Sequence, residues 1–393
     1  MWKNVDLFGS GVLLAAVVAA TPALAADNQP IIVGAAVALS GFVAPYDDGP
    51  VKGAQLAIDK LNAEGGLLGR KVEMVKADTK SDQAQGAIAG NEVLAKGAEM
   101  VIVTCDFDFG AAAALVATAK GKVTFSTCAA DPKFGVQGIG PLAYTMGEGT
   151  PSEGAIAAEW SFNRKGWRST YILIDTQVEF NKSLCSYFKT RWLELGGKIT
   201  GEDTYNVTSD TSIAGQVTRI KSAPPADFMM FCGAIKQGSY LRQIRDGGVT
   251  MPIVTGEAND GAYWLPAVPD LSDFYVEAFG SIYGDDPDPK VREFMNAFQK
   301  KYGAAPVTSH SMTGYSVIEA WAQAVKAAGT TEGTKVAAQL NQMHNADLLV
   351  GPTTYTKDLH LAMGRPMLMI KVEHGKHSAI ERFAPTKVPP IKF

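Results

Sequence analysis

The 393-residue chain is poor in charge: Lys, Arg, Asp and Glu make up 19% of it, the formal net charge is −4, and Lys and Arg nowhere gather into a run. Phosphate backbones are held by clustered cations, so nucleic acid is set aside as a partner. Past the N-terminus no stretch approaches the ~20 apolar residues of a membrane span. Histidine is scarce. Of the five, only His374 and His377 have a ligand-like spacing, and they sit in a Gly- and Lys-bearing turn that reads as a solvated loop, not a zinc site. There is no G-x-S-x-G elbow, no Walker loop and no G-x-G-x-x-G after the first predicted strand. The glycines at 135, 138 and 140 follow no strand into a helix and read as a surface loop. Asp106 and Asp108 are spaced for acid–base work, but acids near strand ends more often cap a helix or face solvent. The expectation is a protein that is not an enzyme and needs no cofactor or metal.

What is present points to an exported two-lobed protein. Lys3 precedes an apolar run over residues 12–20, then Thr21-Pro22 and Ala23-Leu24-Ala25, a small-x-small cleavage pattern. Residues 1–25 therefore read as a secretory signal peptide, with no Cys placed to carry a lipid anchor. Single cores stop growing near roughly 250–300 residues, so this length predicts two lobes. Four cysteines, Cys105, Cys128, Cys185 and Cys232, suit two disulfides in an oxidising compartment, with three pairings open.

The chain reads as two series of alternating strands and helices. The apolar run over 31–37 suits a strand buried on both faces, and Val51, Ala54, Ile58 and Leu61 then recur at helical spacing before Gly65-Gly66. Strands over 72–77, 100–104 and 123–127 alternate with helices over 84–96 and 110–119. A second series starts with a helix over 153–162. Its strands are 170–175, 198–205, 227–232 and 253–255, and its helices 182–195, 212–222 and 238–246. After the breaker at 285–289, helices carry Val291, Phe294, Met295 and Phe298, then residues 314–328, before a strand over 367–372. Alternation of this kind means parallel sheets with right-handed crossovers, and ligands then bind beyond the carboxyl ends of the strands, between the lobes.

The residues Leu39-Ser40-Gly41 with Tyr46, Gly53-Ala54, Asn62-Ala63-Glu64-Gly65-Gly66-Leu67-Leu68-Gly69, Asp82-Gln83-Ala84, Leu241-Arg242-Gln243, Gly314-Tyr315 and Val350-Gly351-Pro352-Thr353 keep one order and spacing along nearly the whole mature chain. In this the sequence resembles the periplasmic Leu/Ile/Val-binding protein family, the solute receptors of ATP-driven importers. The resemblance implies an α/β fold of two doubly wound parallel-sheet lobes joined by a three-crossover hinge, the type I periplasmic binding protein arrangement. Its lobes would be residues 26–147 with 279–361, and 148–278 with 362–393. It implies a periplasmic receptor, expected to be a monomer, that captures a small amino-acid-like or aromatic ligand and delivers it to the membrane permease of an ABC importer. The alternative is a ligand sensor on the same fold.

The family's ligand positions fall on Tyr46, on Asp106 or Phe107, on Cys128, Ala130 and Phe180, and on Glu257, the acid that would hold an ammonium group. Where the family offers hydroxyls, Asp106 or Phe107 and Ala130 supply none, so the usual clamp on an amino acid is missing. The expected rim gathers Asp106, Asp108, Glu148, Glu257 and Asp260 with Phe107, Phe109, Phe180, Tyr263 and Trp264. In such a fold Cys105 and Cys128 end neighbouring parallel strands ~4.8 Å apart, within disulfide reach. Cys185 opens a helix beside the strand ending at Cys232. The family's usual first-lobe bridge would need a partner near Ser81, so this one is rewired.

Overall fold

The computed structural model describes residues 1–2 and 29–392, so the expected signal peptide lies almost wholly outside the described residues. The first series is β1 (Ile31–Val37), α1 (Ala44–Ala63), β2 (Val72–Asp78), α2 (Gln83–Ala95), β3 (Ala98–Val103), α3 (Phe107–Ala119), β4 (Val123–Ser126) and β5 (Ala143–Thr145). Its strands form one parallel sheet in the order β2-β1-β3-β4-β5. β1 is buried along nearly its whole length because helices cover both faces of the sheet.

The second series is α4 (Thr150–Asn163), β6 (Ser169–Asp175), α5 (Glu179–Glu194), β7 (Lys198–Tyr205), α6 (Ala214–Ser222), β8 (Phe228–Cys232), α7 (Gln237–Asp246), β9 (Ile253–Thr255) and β10 (Phe274–Ala278). Helices α8 (Pro289–Tyr302), α9 (Ser311–Ala328) and α10 (Gly333–Leu340) follow, then the short pair β11 (Ala346–Leu348) and β12 (Gly351–Thr353), and finally β13 (Met367–Glu373) and β14 (Lys376–Phe383). The second sheet has the order β14-β13-β10-β9-β8-β6-β7.

This sheet has the expected parallel strands, β10-β9-β8-β6-β7, and carries an antiparallel edge in addition. β13 pairs antiparallel with β10, and β14 antiparallel with β13. The chain re-enters the sheet here from the opposite end, and a two-residue turn at His374-Gly375, with φ of 48° and 70°, folds it back. His374 is thus a turn residue as expected. His377 belongs to β14, where its ring stacks on Tyr283 at 4.3 Å and burial pushes its pKa down to about 4.

The chain passes between the sheets three times: before β6, after β10 and before β13. α9 packs along α1 and α10 against β4, so the helices after β10 return to the first sheet. Two glycines set the α1–α9 distance. A Cβ on Gly53 would fall 1.9 Å from the Ser311 carbonyl oxygen, and one on Gly314 1.9 Å from that of Pro50. One apolar cluster joins the two sheets, running from Ile31 and Ile102 through Ile156 and Trp160 to Phe228 and Met369. Both disulfides form with the expected pairing, Cys105–Cys128 at a Cα separation of 4.9 Å and Cys185–Cys232 at 6.0 Å. Ser81 ties its loop to the β1–α1 loop by hydrogen bonds instead, donating to the Ser40 carbonyl at 2.7 Å and accepting from the Val43 N–H at 3.0 Å.

Candidate functional site

In the first sheet the winding direction reverses between β1 and β3, and their carboxyl ends leave a crevice. Asp47, one turn into α1, stitches these ends together: its carboxylate accepts the Ala38 N–H at 2.6 Å and the Cys105 N–H at 2.8 Å. Burial pushes its pKa up to about 7, against those two hydrogen bonds. In the second sheet the reversal lies between β6 and β8. The two crevices face each other.

Between them lies a cavity with ≈ 50 Å³ open to the centre of a water-sized sphere, room for a handful of such groups. The first sheet and its helices contribute Val43, Tyr46, Cys105, Asp106, Phe109, Cys128 and Ala130. The facing side contributes Val178, Phe180, Ala234, Ile235, Glu257 and Ala258, and His310 enters from the start of α9. Most of the lining is apolar, with Tyr46, Asp106, Glu257 and His310 as the polar members, and among the described residues no Ser, Thr, Lys or Arg belongs to it.

Contacts across the cleft hold the two sides together. The Tyr46 hydroxyl lies 2.6 Å from the Ala234 carbonyl oxygen and 3.0 Å from that of Ala258, and its one proton is shared between them. The Glu179 N–H donates to Asp108 Oδ2 at 2.9 Å, while the Glu179 carboxylate pairs with Lys133. Asp260 accepts the Ser309 N–H at 2.6 Å. Glu257 and His310, 2% and 1% exposed at their side chains, form an ion pair on the cavity wall. Burial alone would depress the His310 pKa, but the carboxylates of Glu257, Asp260 and Asp47 outweigh it and hold the imidazole above its ordinary value.

Of the expected ligand positions, the structure brings Tyr46, Asp106, Cys128, Ala130, Phe180 and Glu257 onto the cavity. Phe107 is turned away. Asp106 caps α3 by accepting the Asp108 N–H at 2.7 Å, so the helix begins at Phe107, and two residues on, at ~100° per residue, Phe109 faces the opposite way. Phe107 packs against the buried cluster that includes Ala36, Val103, Ala129 and Phe134, while Phe109 lines the cavity. Glu148 is not at the rim either. It is fully buried, accepts the Arg365 N–H at 3.0 Å, and burial raises its pKa to about 7 despite Arg365 beside it. Tyr263 and Trp264 line an outer hollow next to Tyr46.

His310 is the residue that sequence reasoning missed. Its only signal is its place just ahead of α9, with no ligand-like spacing to any other histidine. Its ring nitrogen lies within 4.8 Å of the Cys105 and Cys128 sulfurs, a grouping that in thiol form would suit a soft metal. Here the sulfurs are bonded to each other, and the thiolates that such an ion needs are not available.

A family model described as "Periplasmic binding protein" matches residues 30–377. The chain belongs to the periplasmic binding protein family. This periplasmic binding protein is 26% identical over 350 residues to Leu/Ile/Val-binding protein homolog 1 of Brucella abortus, covering 88% of this chain and 91% of that protein. It is 25% identical over 354 residues to the Leu/Ile/Val-binding protein BraC3 of Rhizobium johnstonii, covering 89% and 94%. Its fold is shared with the branched-chain amino acid transporter substrate-binding protein LivJ of Streptococcus pneumoniae in complex with isoleucine. That match has a TM-score of 0.80 at 24% identity and covers 91% of this chain and 100% of the other. The fold is shared equally with a solute-binding protein of R. palustris in complex with benzoate, at a TM-score of 0.76 and 17% identity, covering 92% and 98%. This is the expected type I arrangement, in a family of solute-binding proteins and not of enzymes.

Proposed function

We propose that this protein is a periplasmic receptor that closes two lobes around a small organic solute and presents it to the permease of an ABC importer. The observation that carries this reading is the cavity at both sheet crevices, walled from two sides and bridged by Tyr46. Buried apolar walls with a few convergent polar groups are the usual make-up of a small-molecule site. The lobes are residues 26–147 with 279–361 and residues 148–278 with 362–393. The packing of α9 on α1 and of α10 on β4 supports this division. The relatives named for leucine, isoleucine and valine, and the neighbours holding isoleucine and benzoate, support a ligand of that size.

Tyr46, Asp106, Phe109, Cys128, Ala130, Phe180, Glu257 and His310 form the binding wall. Phe180, at the start of α5 and 7% exposed, supplies much of the apolar cover. Phe180→Ala is expected to weaken binding more than tenfold, about 1.4 kcal/mol, without unfolding the protein. The ligand itself is found by a thermal-shift screen of small amines, amides, amino acids and aromatic acids, since ligand bound to the folded state raises the melting temperature. Deleting the gene should then abolish uptake of that ligand at low concentration. Unchanged uptake in the deletion strain would end the transport reading.

A further inference from the structure

The cavity carries three charge-bearing side chains, Asp106, Glu257 and His310, and two of them are already joined. Glu257 already faces His310 through one of its oxygens, so an ammonium drawn to it would sit beside a second buried cation. Asp106 remains. Its Oδ1 accepts the Asp108 N–H at 2.7 Å, and the charged groups acting on it, Asp108 and Asp131, are both acidic.

No lining side chain is free to receive a ligand carboxylate. Among the described lining residues there is no Lys, Arg, Ser or Thr, and the Tyr46 hydroxyl is directed at the carbonyls of Ala234 and Ala258. At the start of α3 a negative charge already stands in the place an anion would take. Asp106 itself takes that place, through its carboxylate to the Asp108 N–H and its carbonyl to the Gly110 N–H at 3.0 Å. A second negative charge would meet Asp106 across a space with mostly apolar walls, where charges are screened less than in bulk water. Around that space Val178, Phe109 and Phe180 offer an apolar body its cover, and ring faces that attract a cation.

Taking the chain as a solute receptor, we propose that its ligand is a small primary amine without a carboxylate, alkyl or arylalkyl, whose ammonium group rests on Asp106, the acid of the cavity that no cation faces, while Glu257 faces His310.

Four compounds that share one branched chain separate the cases: leucine, isoamylamine (leucine without its carboxylate), isocaproate (leucine without its ammonium group) and uncharged isoamyl alcohol. Benzylamine and benzoate repeat the comparison on a ring. Thermal shift and calorimetry on the purified mature protein should show binding by the two amines, at least tenfold tighter than by leucine, the alcohol or either acid. Asp106→Asn should cost the amines more than tenfold in affinity. Asn caps a helix as well as Asp and tolerates positive φ, which matters because Asp106 sits at φ 88°. The variant is therefore expected to fold, and an unchanged far-ultraviolet spectrum checks that it has. Binding of leucine or a carboxylate as tight as that of the amines overturns the proposal, and so does unchanged amine affinity in Asp106→Asn. Silence from both amines overturns it too. In any of these cases the receptor reading stands if a small-molecule extract of the host periplasm still raises the melting temperature, and falls with the proposal if nothing in that extract does.

Discussion

A carboxyl group with no water around it resists ionisation, and that governs the acids behind the cavity. Glu148, Glu153 and Glu277 are all fully buried, and in each burial is the main cause that raises the pKa, reinforced for Glu153 by Glu257 and Glu277 and for Glu277 by Glu148 and Glu257. For Glu148 the rise is from an ordinary 4.5 to about 7. An acid whose pKa is higher in the folded state binds more protons folded than unfolded across that interval. Its stabilising contribution is complete below pH ~4.5 and is lost as pH rises to about 7. Other groups titrate in the same range, so the cleanest reading is a difference. Glu148→Gln keeps the neutral shape and does not ionise. The stability gap between variant and wild type, from urea denaturation at several pH values, should move in the variant's favour between pH 5 and 7 and then level off. A gap constant across that range would mean that Glu148 is charged in the folded protein.

The helices α1 and α9 fix the site before any ligand arrives, because one carries Tyr46 and the other is preceded by His310. Their rings meet edge to face, centroids 5.9 Å apart, only because Gly53 and Gly314 let the two backbones touch. Gly314→Ala puts a methyl group into the Pro50 carbonyl, which is backbone and cannot swing aside. Overpacking of this kind costs about 1–3 kcal/mol, and here it also moves Tyr46 relative to the carbonyls it bridges. The expected result is a lower denaturation midpoint together with weaker ligand binding. Loss of stability with unchanged affinity would show that the helix contact does not set the site. The same elements show where the sequence was legible. Long apolar runs such as Ile31–Val37 and capped helices such as α8, with Asp288 and Pro289 at its start, declare themselves locally. β10 does not, because Glu277 breaks its apolar run, and only the folded sheet reveals that the carboxylate is buried. β14 hides for the opposite reason: as an edge strand it alternates partly exposed residues and never forms an apolar run. Phe107 was misplaced by phase, since the helix start set by the Asp106 cap decides which Phe faces the cavity. The His310–Glu257 pair joins residues 53 apart in sequence, and no local pattern signals such a meeting.

At the scale of the whole molecule, the proposed clamp is bridged, among the described residues, by Tyr46, the Asp108–Glu179 contact, Asp260 and the His310–Glu257 pair. The Lys133–Glu179 pair is partly exposed and contributes little, because water and salt screen it. The buried contacts carry more, and among them Tyr46 is the one whose removal leaves Asp106 and the His310–Glu257 pair untouched. A net hydrogen bond contributes ~1 kcal/mol, and the carbonyls of Ala234 and Ala258 would lose their shared donor on closing. In the opened clamp those carbonyls meet water, so Tyr46→Phe penalises only the closed form. A shift of ~1.4 kcal/mol changes the ratio of closed to open tenfold, enough to move the average shape of a clamp balanced near equality. The ligand-free Tyr46→Phe protein should therefore scatter X-rays with a larger radius of gyration than the wild type. Saturating ligand should bring the two curves together, since the solute supplies the contacts that the hydroxyl no longer makes. Apparent affinity should fall by the same factor as the closed population, because the ligand must first recover that population. Identical scattering with and without the hydroxyl would mean that the apolar cluster joining the sheets, and not the contacts across the cleft, decides whether the lobes stand closed.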